Sequence, residues 1–429
     1  MLISICVEKM KRFNKYDLLI ILTIVTLAWG NNDALRFLYP IRIIGFVGLF
    51  VVASDWRLIN KEYMRWCLLF VIWSLYIIIS LIWAPNPGDA IAQAFHIITV
   101  FGAMGLMMVA ALKAKEPLNS LITGWVAMVL ITLPIAFWEI STGNHLASGS
   151  YHADTMAYGQ LRVFAAVTFG NINSYAVVLA FAFPFVIAGL VGNKKEAPFR
   201  LLLMVITAII GGLILLSASR GCLLCFIFGL LLILLLQLKG KFSFLSFFMM
   251  VFILLGGLYY VIEKLELNLL FEITARLENE GFETVRGEIY QAGLEAASNS
   301  AYLGGGVGST VPYMIKYTNC PVKVTHNAFL EILIEYGVFI FLYFWCKFYS
   351  SAMKLWKSGN IKVKIIGAYY TVATLVLFLI DDYYTGESVF WVFTASLIVL
   401  SNLYGKKKRR GIIAIPAAAP QKEDINNTL

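Results

Sequence analysis

Thr325-His326-Asn327-Ala328-Phe329-Leu330-Glu331-Ile332-Leu333-Ile334-Glu335-Tyr336-Gly337 is where a long polar stretch gives way to an apolar run of membrane-spanning length. Read as a helix, this segment carries His326 at its mouth and Glu331 and Glu335 four residues apart on one face. A histidine and two carboxylates at the edge of a membrane span are costly unless they are paired or have a function. The other informative residues take their meaning from their place relative to that mouth.

Outward from it, apolar runs of about 20 residues recur along the chain. Hydrophobic residues make up 60% of the 429 and charged residues 14%, with a mean hydropathy of +0.79. A soluble domain is about half apolar and a quarter charged. The pattern therefore predicts an all-α polytopic membrane protein, and the alternating strands of about 10 residues that mark an outer-membrane barrel are absent. Twelve transmembrane helices are expected, at 16–30, 38–54, 64–83, 90–112, 118–140, 171–191, 199–216, 221–238, 243–262, 327–348, 363–380 and 387–404. The first follows a basic stretch (Lys9, Lys11, Arg12, Lys15) and lacks a small-x-small cleavage site, so it reads as a span rather than a signal peptide. The chain then divides into nine spans over 1–262, an outer loop with short helices over 263–326, three spans over 327–404 and a basic tail over 405–429. Within the loop, Arg286 to Asn299 is expected to be a short amphipathic helix with Tyr290, Leu294 and the alanines on one side.

Lysine and arginine set the orientation. Of the 34, 25 fall on the side of the two termini and 9 on the other. The positive-inside rule makes both termini cytoplasmic and turns 263–326 outward. The net charge of +9 is accounted for by this bias, and no basic, aromatic-interleaved soluble surface suggests nucleic acid as a partner. Lys406 to Arg410 reads as an anchor to lipid headgroups. The six cysteines are scattered. Cys222 and Cys225 lie inside an apolar helix and read as packing residues, and Cys320 stands alone in the outer loop.

Several outward residues suit the handling of an anion or a sugar. Arg220 lies in Ser217-Ala218-Ser219-Arg220-Gly221, a turn between two spans, and Arg286 opens the loop helix. Arg162 precedes Phe169-Gly170-Asn171-Ile172-Asn173. Guanidinium forks match phosphate oxygens bidentately, whereas a single interfacial arginine also snorkels to headgroups. His326 titrates in the range that suits proton abstraction from a hydroxyl. His96 is embedded in a span, and His145 and His152 show no spacing that supports a metal site. Asp381-Asp382-Tyr383-Tyr384 with Glu387 reads as a solvated interfacial loop, with sugar binding as the alternative. The run Gly304-Gly305-Gly306-Val307-Gly308 lacks the strand–helix context of a phosphate loop.

In order and type, these motifs resemble the O-antigen ligase and polymerase superfamily. The resemblance is carried by Gly170-Asn171-Ile172-Asn173, Ser219-Arg220-Gly221, Arg286 with Tyr290, the glycine run, and His326-Asn327 with Leu330, Glu331 and Gly337. It covers roughly 160–345, and it departs from the family at Ile172, where a proline is usual, and at Ser300-Ala301-Tyr302, where a proline is expected before the glycine turn. It implies a glycosyltransferase, without a cofactor or a metal, on the outer side of the bacterial cytoplasmic membrane. Such an enzyme moves a glycan from undecaprenyl diphosphate to an acceptor glycan, either lipid A-core or a lipid-linked repeat unit. Arg220 and Arg286 would hold the diphosphate and His326 would act on the acceptor hydroxyl. Arg162, Asn171, Asn173, Tyr290, Asn327 and Glu331 are further expected substrate contacts. The alternative is a transporter or flippase of lipid-linked glycans, which would instead place charges near the midplane and repeat its halves. Ligase and polymerase share these motifs, so the acceptor stays open between them.

Overall fold

A computed structural model describes residues 13–30, 39–146, 156–157, 160–161, 164–191, 197–217, 219–237, 286–319, 323–381 and 384–405. Within these the chain is helical apart from one antiparallel pairing of two-residue strands, β1 (Met156–Ala157) with β2 (Gln160–Leu161). The helices are α1 (Lys15–Val25), α2 (Pro40–Ser54), α3 (Lys61–Ser80), α4 (Pro87–Lys113), α5 (Pro117–Thr142), α6 (Ile172–Leu190), α7 (Ala197–Leu216) and α8 (Arg220–Gln237). They continue with α9 (Arg286–Asn299), α10 (Thr310–Tyr317), α11 (Ala328–Trp356), α12 (Ile361–Leu377) and α13 (Ser388–Tyr404). A helix lies at each expected span except 243–262, which falls outside the described residues, as do 263–285 of the expected outer loop and the tail after Gly405. Six of the helices, α3, α4, α5, α6, α7 and α11, are long and apolar enough to cross a membrane.

The bundle is layered. α6 is buried almost all round, whereas α3 turns Leu68, Val71, Ile72, Leu75, Ile78 and Ile79 outward. Apolar side chains facing away from the core are what a lipid-facing helix shows. α2 and α4 meet through glycines: a Cβ at Gly45 would lie 2.0 Å from Thr99 O, and one at Gly102 would lie 2.2 Å from Gly45 O. Small residues let backbones approach this closely in membrane bundles, where the apolar effect does not drive helices together. At the centre, Trp73 meets Tyr336 at 5.0 Å, Trp391 at 5.3 Å and Phe344 at 5.4 Å, all edge to face. Where α1 begins, buried Asp17 accepts hydrogen bonds from Lys115 N, Glu116 N and Ser120 Oγ and so pins α1 to the start of α5.

α11 is broken within its length. Gly337 has φ 78° and ψ 174°, a conformation essentially restricted to glycine. The break frees the carbonyls of Ile334 and Glu335, and the glycine run takes them: Gly305 N donates to Ile334 O (2.7 Å) and Gly306 N to Glu335 O (3.1 Å). Val338 N donates to Tyr302 O (2.8 Å), and Tyr76 Oη donates to Glu335 O (3.1 Å). The run thus seats the segment between α9 and α10 against α11. A Cβ at Gly304 would lie 2.2 Å from Tyr76 Oη, and one at Gly337 would lie 2.5 Å from Leu303 O.

Two expectations need correction. α9 spans the expected residues, but its buried face is Ile289, Ala292, Gly293, Ala296 and Ala297, with Leu294 52% exposed. The small residues face inward because α9 lies close against α11; a Cβ at Gly293 would sit 2.4 Å from Leu330 Cδ2. The expected interfacial loop after α12 is not solvated at Asp381, Tyr384 or Thr385, which are buried. Asp382 and Tyr383 lie outside the described residues.

Candidate active site

The segment that leaves α12, Phe378 to Thr385, gathers the separated motifs. The last carbonyls of a helix lack intrahelical partners. Here Leu377 O accepts from Tyr384 Oη, Phe378 O from Ala328 N (2.8 Å), Leu379 O from Arg286 Nη1 (3.0 Å) and Ile380 O from Arg286 Nη2 (3.5 Å). The second guanidinium contact is at the long limit of a hydrogen bond and is the weaker of the two. A cation at this end of α12 also opposes the negative end of the helix dipole.

From the other elements, Ser174 Oγ in the first turn of α6 donates to Asp381 Oδ1 (2.9 Å). Gly221, beside Arg220, packs on the same segment; a Cβ there would lie 2.6 Å from Ile380 Cδ1. Glu331, one turn into α11, accepts from Tyr384 N (2.9 Å), from Thr385 N (2.9 Å) and from the Thr385 hydroxyl. The first turn of α6, the glycine of the Ser-Arg-Gly turn, Arg286 and the first turn of α11 therefore all abut one short stretch of chain.

His326 lies two residues before Ala328, half-buried, with φ 46°. Left-handed backbone at a non-glycine residue is uncommon and gathers at functional sites. Asn327 caps α11, its side chain accepting from Phe329 N (2.9 Å) and Leu330 N (3.1 Å). Asn171 caps α6 in the same way, accepting from Asn173 N (2.8 Å), after Gly170 at φ 69°. Both asparagine oxygens thus serve the backbone, and Asn173 is half-buried. Tyr290 stands one turn from Arg286, half-buried against the apolar clusters that include Met314 and Leu330. Burial pushes its hydroxyl pKa up while Arg286 pulls it down. Arg220 is exposed at the start of α8. Arg162 lies outside the described residues.

Glu331 and Glu335 are both 1% exposed. Glu335 accepts from Thr310 Oγ1 (2.9 Å) and Gln93 Nε2 (3.1 Å), and Gln93 Nε2 also reaches Thr385 Oγ1 (3.2 Å). The two carboxylates thus face inward, satisfied by neutral donors. Ser174, Thr385, Gln93 and Thr310 had no signal in the sequence; Asp381 and Tyr384 were marked only by the acidic and aromatic character of 381–387.

His96 and His145 serve elsewhere, and His152 lies outside the described residues. His96 is buried with Nε2 3.4 Å from Ser388 Oγ. His145 stacks on Phe164 and lies 3.6 Å from Glu139. Glu139 accepts from Ala166 N (2.7 Å) and Val167 N (2.8 Å), which holds the buried 164–169 segment at the mouth of the bundle. No cluster of three metal-ligating side chains occurs among the described residues.

The family described as O-Antigen ligase matches residues 205–345. That stretch holds Arg220, Arg286, Tyr290, the glycine run, His326, Asn327, Glu331 and Gly337, so the resemblance carried by these motifs is borne out. The asparagine motif and the Phe378–Thr385 segment lie outside it, joined to it by the contacts above. No curated protein matches the chain. The apolar helices and the family together indicate a membrane protein.

Proposed function

We propose that this chain is a glycosyltransferase of the bacterial cytoplasmic membrane. It takes a glycan from undecaprenyl diphosphate and passes it to a hydroxyl of an acceptor glycan, lipid A-core or a lipid-linked repeat unit. Twelve spans with both termini in the cytoplasm would turn the site toward the periplasm or the cell exterior. The observation that supports this most is the meeting of Arg286, the Arg220 turn and the His326 mouth around one segment, within a stretch that matches the O-Antigen ligase family.

Arg286 engages two of its five N–H groups with the backbone. The fork is thereby held in one orientation and keeps donors for a phosphate oxygen. Arg220 supplies a second charge. In the reaction the acceptor hydroxyl oxygen attacks the anomeric carbon, and its proton passes to His326. The bond from that carbon to the diphosphate oxygen breaks, and undecaprenyl diphosphate leaves with the bonding pair. One displacement inverts the anomeric centre. The charge that gathers on the leaving oxygen meets Arg286, already held by two carbonyls, and Arg220, and preorganised charge of this kind lowers such barriers.

The test is a reconstituted assay with purified protein, a labelled lipid-linked glycan and an acceptor. Acceptor-dependent release of undecaprenyl diphosphate is expected, and it should fall at least about 30-fold in Arg220→Ala and in Arg286→Ala. Movement of intact donor across a vesicle without cleavage would replace this reading with transport.

A further inference from the structure

Glu331 was an expected substrate contact, yet both its oxygens face inward onto the segment after α12. It accepts three hydrogen bonds there, from Tyr384 N, Thr385 N and the Thr385 hydroxyl, in a place 1% exposed. Three residues earlier on the same helix, Ala328 N donates to Phe378 O. α11 thus grips the segment at both ends, at Phe378 and at Tyr384–Thr385. Between the grips lie Leu379 and Ile380, whose carbonyls hold the Arg286 fork. Two lesser ties act inside the span: Asp381 N donates to Tyr384 Oη (3.0 Å), and Asp381 accepts from Ser174.

We propose that Glu331 is a positioning residue for Arg286, acting through Tyr384 and residues 378–381 and not on the substrate. This rests on the reading of Arg286 as a ligand of the donor diphosphate. The chemistry calls for a carboxylate at this place. Two backbone amides and a hydroxyl converge on it, and buried donors without acceptors are costly. A glutamine presents its NH₂ to one of those donors and so cannot accept all three. Tyr384 and Thr385 then shift to find other acceptors, and the Leu379 and Ile380 carbonyls, flanked by the Tyr384 Oη contacts to Leu377 O and Asp381 N, move with them. Displacements of about 1 Å in a supporting group can lower a rate about 100-fold.

The test is a double-mutant cycle of Glu331→Gln and Arg286→Ala in the reconstituted transfer assay, with rates per monodisperse, folded protein. In the Arg286 background, Glu331→Gln should lower the rate about 10–100-fold and raise the donor KM with the acceptor KM unchanged. In the Arg286→Ala background it should change the rate less than about threefold, because the group it positions is gone. Tyr384→Phe, which keeps Glu331 and its amide bonds but removes the hydroxyl tying Asp381 N and Leu377 O, enters the same cycle as a milder second variant and stands alone if Glu331→Gln does not fold. Equal losses in both backgrounds would show a merely structural role and overturn the proposal while leaving the diphosphate reading intact. Normal transfer by Arg286→Ala would overturn the diphosphate reading, and this proposal with it.

Discussion

Replacing Gly337 with alanine tests how the site is assembled. The native backbone there, φ 78° and ψ 174°, costs a non-glycine residue about 1–3 kcal/mol. The added Cβ would meet backbone on one side, 2.5 Å from both C and O of Leu303 and 2.9 Å from Tyr302 O. Backbone cannot rotate away as a side chain can, so the segment between α9 and α10 must retreat. Retreat breaks the bonds from Gly305 N, Gly306 N and Val338 N, each a net contribution of about 1 kcal/mol. The total is about 4–6 kcal/mol against the broken helix. Alanine favours a continuous helix by about 1 kcal/mol relative to glycine. In that form Val338 N would return to Ile334 O and the glycine run would lose its seat.

Gly337→Ala should therefore release α10 from the bundle and lower transfer by at least about 100-fold, with the membrane helices still inserted. Gly359→Ala is the control, since nothing lies within 4 Å of a Cβ there. The measurements are transfer rate, thermal survival in detergent, and protease access at the exposed Lys316 of α10. Near-native values of all three for Gly337→Ala would refute the argument, because they would mean that the break and its contacts are not needed.

Three further outcomes are expected. His326→Ala should keep its folding and lose about 10²–10⁴-fold in transfer; near-normal transfer at equal expression would make the histidine structural. Arg286→Lys keeps charge and loses the fork, so it should lose about 30–1,000-fold, close to Arg286→Ala, while wild-type activity survives EDTA; full activity of the lysine variant, or loss in EDTA restored by Mg²⁺ or Mn²⁺, would sink the bidentate and arginine-only arguments respectively. Glu295→Cys should react with an impermeant maleimide in intact cells and Lys357→Cys should not, in a background without native cysteines; the reverse pattern would invert the orientation.

The helices were legible because their information is local. α9 begins and ends at the residues expected of it, and the caps Asn14, Asn60, Asn327 and Asn360 each stand one residue before a helix. The site was legible only in pieces. His326, Arg220 and Arg286 stood out because polar groups are conspicuous beside apolar runs. Their common support did not, since Asp381 finds Ser174 207 residues away and Tyr384 finds Glu331 53 residues away. No periodicity reports such pairings. An acidic, tyrosine-bearing turn between two spans has the composition of an interfacial loop, and only its partners reveal that it is buried. The glycine run, which lacks the context of a phosphate loop, gave no hint of its partner either, the broken backbone of α11.

The local backbone also bears on the proposed use of arginines at this mouth. A helix N-terminus normally offers free amides to an anion. At α11 they are occupied: Ala328 N donates to Phe378 O, Phe329 N and Leu330 N to the Asn327 side chain, and Glu331 N to Asn327 O. The start of α11 therefore has its dipole but no amide to give a diphosphate. The neighbouring end of α12 presents carbonyls, which repel an anion and attract a cation. Arg286 converts that end from a repulsive surface into a seat for a guanidinium, which carries positive charge to where the amides of α11 are no longer available. Lysine has a single nitrogen to divide between a carbonyl and a phosphate oxygen, whereas the guanidinium serves both with separate N–H groups. The geometry thus ties the choice of arginine to the way α11 and α12 are joined, and any substitution that frees the α11 amides should weaken the dependence of transfer on Arg286.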